Sequence, residues 1–161
     1  MMSREIVFVQ EELVLTPVES KKNFYFDFFV DCDLSHLFVD MVYQPKFYYN
    51  FDRSMDMIME CVKKYGLDKN TDLYGPAENL LPMSNLLVLT LDMNGKYLGA
   101  AHRSRSAHHI VLTGESASPG FAVCPLERGK WRACITANNV ITDKCVCRLT
   151  ITGIRSKEET E

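Results

Sequence analysis

The stretch FYFDFFV, residues 24–30, sets Phe24, Phe26, Phe28 and Val30 on one side of an extended chain and Tyr25, Asp27 and Phe29 on the other. That period of two belongs to a half-buried strand, because successive side chains of a strand point to opposite faces of its sheet. The next apolar run, HLFVDMVY (36–43), repeats the pattern with Leu37, Val39, Met41 and Tyr43 aligned. Only a short polar stretch separates the two runs, so an antiparallel pair joined by a longer loop is expected.

Upstream, EIVFVQEELVL (5–15) reads as an opening strand, or as two interrupted by the acidic Glu11–Glu12 pair. Downstream the period changes. In DRSMDMIMECVKKYGLD the apolar Met55, Ile58, Met59, Val62 and Tyr65 recur every three or four residues, one face of a helix around 52–66. Asp52 is placed to cap it, Gly66 to end it, and Lys63 and Lys64 to complement its negative end, with the Met-rich stripe packing on the core. A polar connection leads to NLLVLTLD (85–92), rich enough in branched residues for a strand covered on both faces. Asn94–Gly95 then supplies a hairpin turn, and KYLGAAH returns. HHIVLT (108–113), GKWRACIT (129–136) and KCVCRLTITGI (144–154) complete seven or eight strands. The expected fold is mainly β: an antiparallel, jelly-roll-like β-sandwich with one inserted α-helix, a single domain over 1–155 with a disordered tail at 156–161.

A chain of 161 residues carries one core without disulfide staples. Its 18 Lys and Arg stand against 21 Asp and Glu, so no basic field exists to hold a phosphate backbone, which excludes nucleic acid as an expected partner. No apolar run is long enough to cross a bilayer, and the amino-terminal stretch lacks the apolar region of a signal peptide, so the expected location is cytoplasmic. The six cysteines are too few for a disulfide scaffold and are expected as free thiols. Cys145 and Cys147 share a strand face and read as small buried hydrophobes, so neither a metal nor a cofactor is expected.

The densest polar cluster is HRSRSAHH (102–109), in which His102, Arg103, Arg105, His108 and His109 form a candidate site for a carboxylate or phosphate. Arginine forks bind such groups with two parallel hydrogen bonds, and histidine adds a proton switch. In a strand His108 and His109 point to opposite faces, so they do not share one metal. Ser116 and Ser118 offer hydroxyls without a nucleophile-elbow pattern, and no catalytic residue is assigned. In LTGESASPGFAVCPLERGKWRAC (112–134) the conformational arguments are stronger. Pro119 fixes its own backbone and biases Ser118 toward an extended form, Gly120 permits a turn that throws Phe121 toward the core, and Gly129 permits the bend into the next strand. Trp131 is expected inside the sandwich, where its indole N–H needs an acceptor.

These residues also carry a family resemblance. Asp92, Gly95, Tyr97, Gly99 and Arg103, then Ala117, Ser118, Pro119, Gly120 and Phe121, then Gly129 and Trp131 follow an order similar to that of the amino-terminal β-sandwich domain of CehA/McbA-type metallohydrolases, of the polymerase-and-histidinol-phosphatase (PHP) superfamily. In that family catalysis belongs to a carboxy-terminal PHP domain opened by an H-x-H motif. None of His36, His102, His108 and His109 forms one. The resemblance therefore implies a non-enzymatic accessory or interaction module, working beside a PHP-type hydrolase domain or another protein. Two alternatives stand: a carbohydrate- or small-ligand-binding domain using Phe47, Tyr48 and Tyr49 with the 102–109 segment, or a hydrolase fragment without its catalytic half.

Overall fold

The computed structural model describes residues 4–64, 80–101 and 105–157. Its elements in chain order are β1 (Glu5–Leu15), β2 (Asn23–Val30), β3 (Leu34–Gln44), β4 (Phe47–Tyr48), α1 (Phe51–Lys64), β5 (Met83–Ser84), β6 (Leu86–Met93), β7 (Lys96–Ala101), β8 (Ala107–Leu112), β9 (Gly129–Asn139) and β10 (Cys145–Arg155). Eight strands make two four-stranded antiparallel sheets, ordered β1-β10-β3-β8 and β2-β9-β6-β7, while β4 and β5 form a separate short ribbon. Leaving that ribbon aside, the first strand pairs with the last, the second with the seventh, the third with the sixth and the fourth with the fifth. A long hairpin rolled on itself has this connectivity, that of a jelly roll. The mainly β sandwich with one inserted helix thus matches the reading of the sequence.

The pairing of the opening stretches differs from expectation. Residues 24–30 and 36–43 do alternate as expected, but they lie in opposite sheets: β2 pairs with β9, and β3 pairs with β10 and β8. The short loop between them crosses the sandwich rather than turning a hairpin, because a rolled hairpin sends successive strands alternately to its two layers. Among the described residues only Asn94–Gly95 closes a local hairpin, with φ of 51° and 79°, the positive pair that matches strand twist.

The acidic pair does not interrupt β1, which runs unbroken from Glu5 to Leu15 with a bulge between Val7 and Val9. Nor is β6 covered on both faces. Leu87, Leu89, Leu91 and Met93 are buried, while Leu86, Val88, Thr90 and Asp92 are only half-buried. The core is the layer between the sheets, where Leu37, Val39, Met41 and Tyr43 of β3 meet Trp131, Ala133, Ile135 and Ala137 of β9 and Cys145, Cys147, Leu149 and Ile151 of β10. Each large side chain fully withdrawn from water there contributes about 1.5–3 kcal/mol. Phe28 lies opposite Trp131 in register, and their rings stack with centroids 6.0 Å apart.

The helix departs from expectation at its start and on its face. Its cap is Asn50, whose Oδ1 accepts from the Arg53 N–H at 3.1 Å, while Asp52 sits inside the first turn. Ser54 and Ile58 are buried, Met55 and Val62 are half-buried and Met59 is exposed, and Ile58 does not belong to the sandwich core. Tyr65 and Gly66, expected at its end, lie outside the described residues. A buried hub that the pattern did not signal is Asn85. Its Oδ1 accepts from Ile141 N and Thr142 N, and its Nδ2 donates to Pro45 O at 2.9 Å and Thr142 Oγ1 at 2.8 Å. All four side-chain hydrogen-bonding sites are met, so an amide can be buried there without loss.

Candidate functional site

β7 and β8 are the edge strands on one side of the sandwich, and the segment 116–122 bridges them. Against β8, Ser118 N donates to Val111 O at 3.0 Å, Val111 N donates to Ser118 Oγ at 2.9 Å and Thr113 N donates to Ser116 O at 2.9 Å. Against β7, Ala100 N donates to Gly120 O at 3.2 Å and Ala122 N donates to Leu98 O at 2.7 Å. The strap supplies partners to strand edges that would otherwise present bare amides and carbonyls. Its approach to β7 is so close that a Cβ on Gly99, at φ 150°, would collide with the Gly120 carbonyl, and one on Gly120, at φ 92°, would lie 2.6 Å from Ala100 O. Pro119 and Gly120 thus make the bend expected of them, and Phe121 is half-buried against the core.

Where the strap stands off the strands it leaves an open cleft of about 320 Å³. Arg105, His108, His109, Ser118, Pro119 and Phe121 are among its walls. The structure therefore brings three of the five residues of the candidate anion cluster together with the Pro-Gly motif. His102 and Arg103 lie outside the described residues. The two histidines diverge as the strand period requires: His108 is buried and His109 exposed. His108 Nε2 lies 3.0 Å from the Arg105 carbonyl oxygen. A carbonyl only accepts, so this nitrogen carries the proton, and burial lowers the ring's pKa and holds it neutral. His109 pairs instead with Asp40 on the outer face of the sheet, beside the ring of Phe38.

The serine hydroxyls serve the backbone. Ser118 Oγ is held by Val111, and Ser116 Oγ lies 3.0 Å from Thr113 Oγ1, which also accepts from Glu115 N and Ser116 N. Further along, the buried Trp131 donates its indole N–H to Glu127 O at 2.9 Å, the acceptor its position demanded. Gly129, at φ 130°, passes so close to the Asn94 side chain that a Cβ would overlap it. The Asn94 carboxamide oxygen accepts from Lys130 N at 2.9 Å, joining the hairpin turn to the start of β9.

Phe47 and Tyr49 are exposed on the β4–β5 side, their rings 6.1 Å apart, and with Tyr48 they take no part in the cleft. All six cysteines are free. Cys145 and Cys147 share the inward face of β10, and burial pushes the Cys147 thiol up to about 12. Among the described residues no group of three His, Cys, Asp or Glu side chains is placed to hold a metal, and no helix is long and apolar enough to cross a membrane. The chain matches no family model and no curated protein.

Proposed function

We propose that the chain is a non-catalytic ligand-binding module of the β-sandwich type, with its site in the cleft between β7, β8 and the strap. The observation that carries this reading is the convergence of Arg105 and His108 with Ser118, Pro119 and Phe121 on one concavity, while the His109 side chain turns to Asp40 on the outer face. Concave, partly apolar sites with a few converging polar groups are the usual places for small ligands. The non-catalytic reading is supported by the hydroxyls of Ser116 and Ser118, which are committed to turn and strap hydrogen bonds rather than placed beside an oriented base. Six unpaired thiols support a reducing, cytoplasmic setting.

The test is an amide chemical-shift titration of the isotope-labelled chain with a panel of small acids, phosphates and neutral sugars. Saturable shifts gathered at 105–110 and 118–121 are expected. Shifts gathered instead at Phe47, Tyr48 and Tyr49 would move the site to the exposed aromatic ribbon and defeat the cleft reading. A second role, an accessory domain for a PHP-type hydrolase, is supported by the way the resembling residues Gly99, Pro119, Gly120 and Phe121 form one continuous scaffold. Co-purification with an H-x-H domain encoded beside this chain tests it, and separate elution of the two would end it.

A further inference from the structure

The chemistry of the cleft walls narrows what can enter. Among the described residues no carboxylate lines the cleft, and Arg105 makes no ion pair with any of them. The guanidinium therefore offers a fork of donors with no acid of its own to answer it. His108 offers the opposite character. Its Nε2–H is spent on the Arg105 carbonyl, so the neutral ring keeps a lone pair on Nδ1. Among the described residues Nδ1 has no hydrogen-bond partner, which leaves its lone pair available to accept one. Donors and an acceptor thus stand three residues apart on one wall, while Ala100, Ala101, Ile110 and Phe121 supply apolar surface.

We infer that the cleft takes a small hydroxycarboxylate: the carboxylate on Arg105, the hydroxyl proton on His108 Nδ1, and the carbon skeleton on the alanines and Phe121. This rests on the reading of the cleft as a ligand site. Its volume, about 320 Å³, lies at the lower end of ligand pockets, which suits a monomeric acid of roughly ten heavy atoms rather than a polymer.

Mandelate, its methyl ester, phenylacetate and a methyl glucoside separate the terms when titrated into the labelled chain. Mandelate is expected to move the amides of 105–110 and 118–121, with the ester and phenylacetate each weaker by about tenfold, the effect of losing one charge-assisted or buried hydrogen bond. Arg105→Ala is expected to weaken mandelate about tenfold, and His108→Gln, which keeps a donor for the Arg105 carbonyl, to erase the preference for mandelate over phenylacetate. Equal binding of acid and ester, or an unaffected Arg105→Ala, overturns the inference. Glucoside shifts at the same amides without mandelate shifts overturn it while leaving the cleft reading in place. Silence from all four probes overturns both.

Discussion

The two open sides of the sandwich are closed by different means. On the β7/β8 side the strap 116–122 hydrogen-bonds to both edges and holds a cleft beneath it. On the β1/β2 side no such segment intervenes among the described residues. A single tight turn (Pro17–Glu19) joins the two edge strands, clamped by the Glu19 carboxylate, which accepts the Thr16 N–H and hydroxyl at 2.6 Å each. There β1 is defended by its own sequence. Glu11 lies opposite Leu149 in register, on the face that Val9 and Leu15 turn to the core, but at this sheet edge it stays exposed, while Glu12 lies opposite Arg148 on the outer face and pairs with it at 2.9 Å. An inward-pointing charge and a bulge are two of the devices that stop an edge strand from recruiting another. A strap spends backbone and leaves room for a ligand, whereas a guarded edge spends side chains and leaves none.

Breaking the strapped side has the largest expected effect. Gly99→Ala drives a Cβ into the Gly120 carbonyl at a backbone angle that L-residues avoid, and should lower unfolding free energy by about 3 kcal/mol or more in urea titration. Gly95→Ala, which meets nothing within 4 Å, should cost only its left-handed strain, about 1–2 kcal/mol. If the two costs are equal, the close approach of strap and strand is not what holds this side. Ser118→Ala removes the acceptor for Val111 N and should cost about 1–2 kcal/mol, with faster hydrogen exchange at Val111 than at amides of β1.

Acid should act on both sides in sequence. His108 has a lowered pKa when folded, so its contribution is complete above the unfolded value near 6.5 and is lost as pH falls through the folded value. Glu19, lowered first by its hydrogen bonds from Thr16, keeps its contribution to lower pH and loses it as pH falls below 4.5 through its own folded value. Stability measured against pH should therefore decline in two steps, and His108→Gln should remove only the upper one. The smallest stability change is expected on the guarded edge. Glu11→Val should alter unfolding free energy by no more than about 0.5 kcal/mol yet raise self-association in sedimentation velocity, since it removes the charge that disfavours edge pairing. A monomeric Glu11→Val chain would show that the bulge suffices.

Strand positions were legible because alternation is local: Phe24 to Val30 and Leu37 to Tyr43 show in their own letters which face is buried. The bends at Pro119, Gly120 and Gly129 were legible because proline and glycine constrain or free the backbone wherever they stand. Glu11 misled because charge in a strand reads as an interruption, and only its place at a sheet edge makes it tolerable. Asn85 gave no signal at all, since its four partners come from segments 40 to 57 residues away. Arg105, His108 and His109 could be grouped by proximity in sequence, but nothing in that grouping joins them to Ser118 and Phe121.

The sequence by itself determined the β class, the local hairpin at Asn94–Gly95, the forced bends and the burial of Trp131. Each follows from the period of two, from backbone restriction or from the size of an apolar ring. Which strands pair was decided only in three dimensions, because a jelly roll joins its first strand to its last and its second to its seventh, and no local pattern encodes partners more than a hundred residues apart. The cleft is a consequence of that pairing: rolling the hairpin puts β7 and β8 at adjacent edges, and the strap that satisfies both edges encloses the space between them.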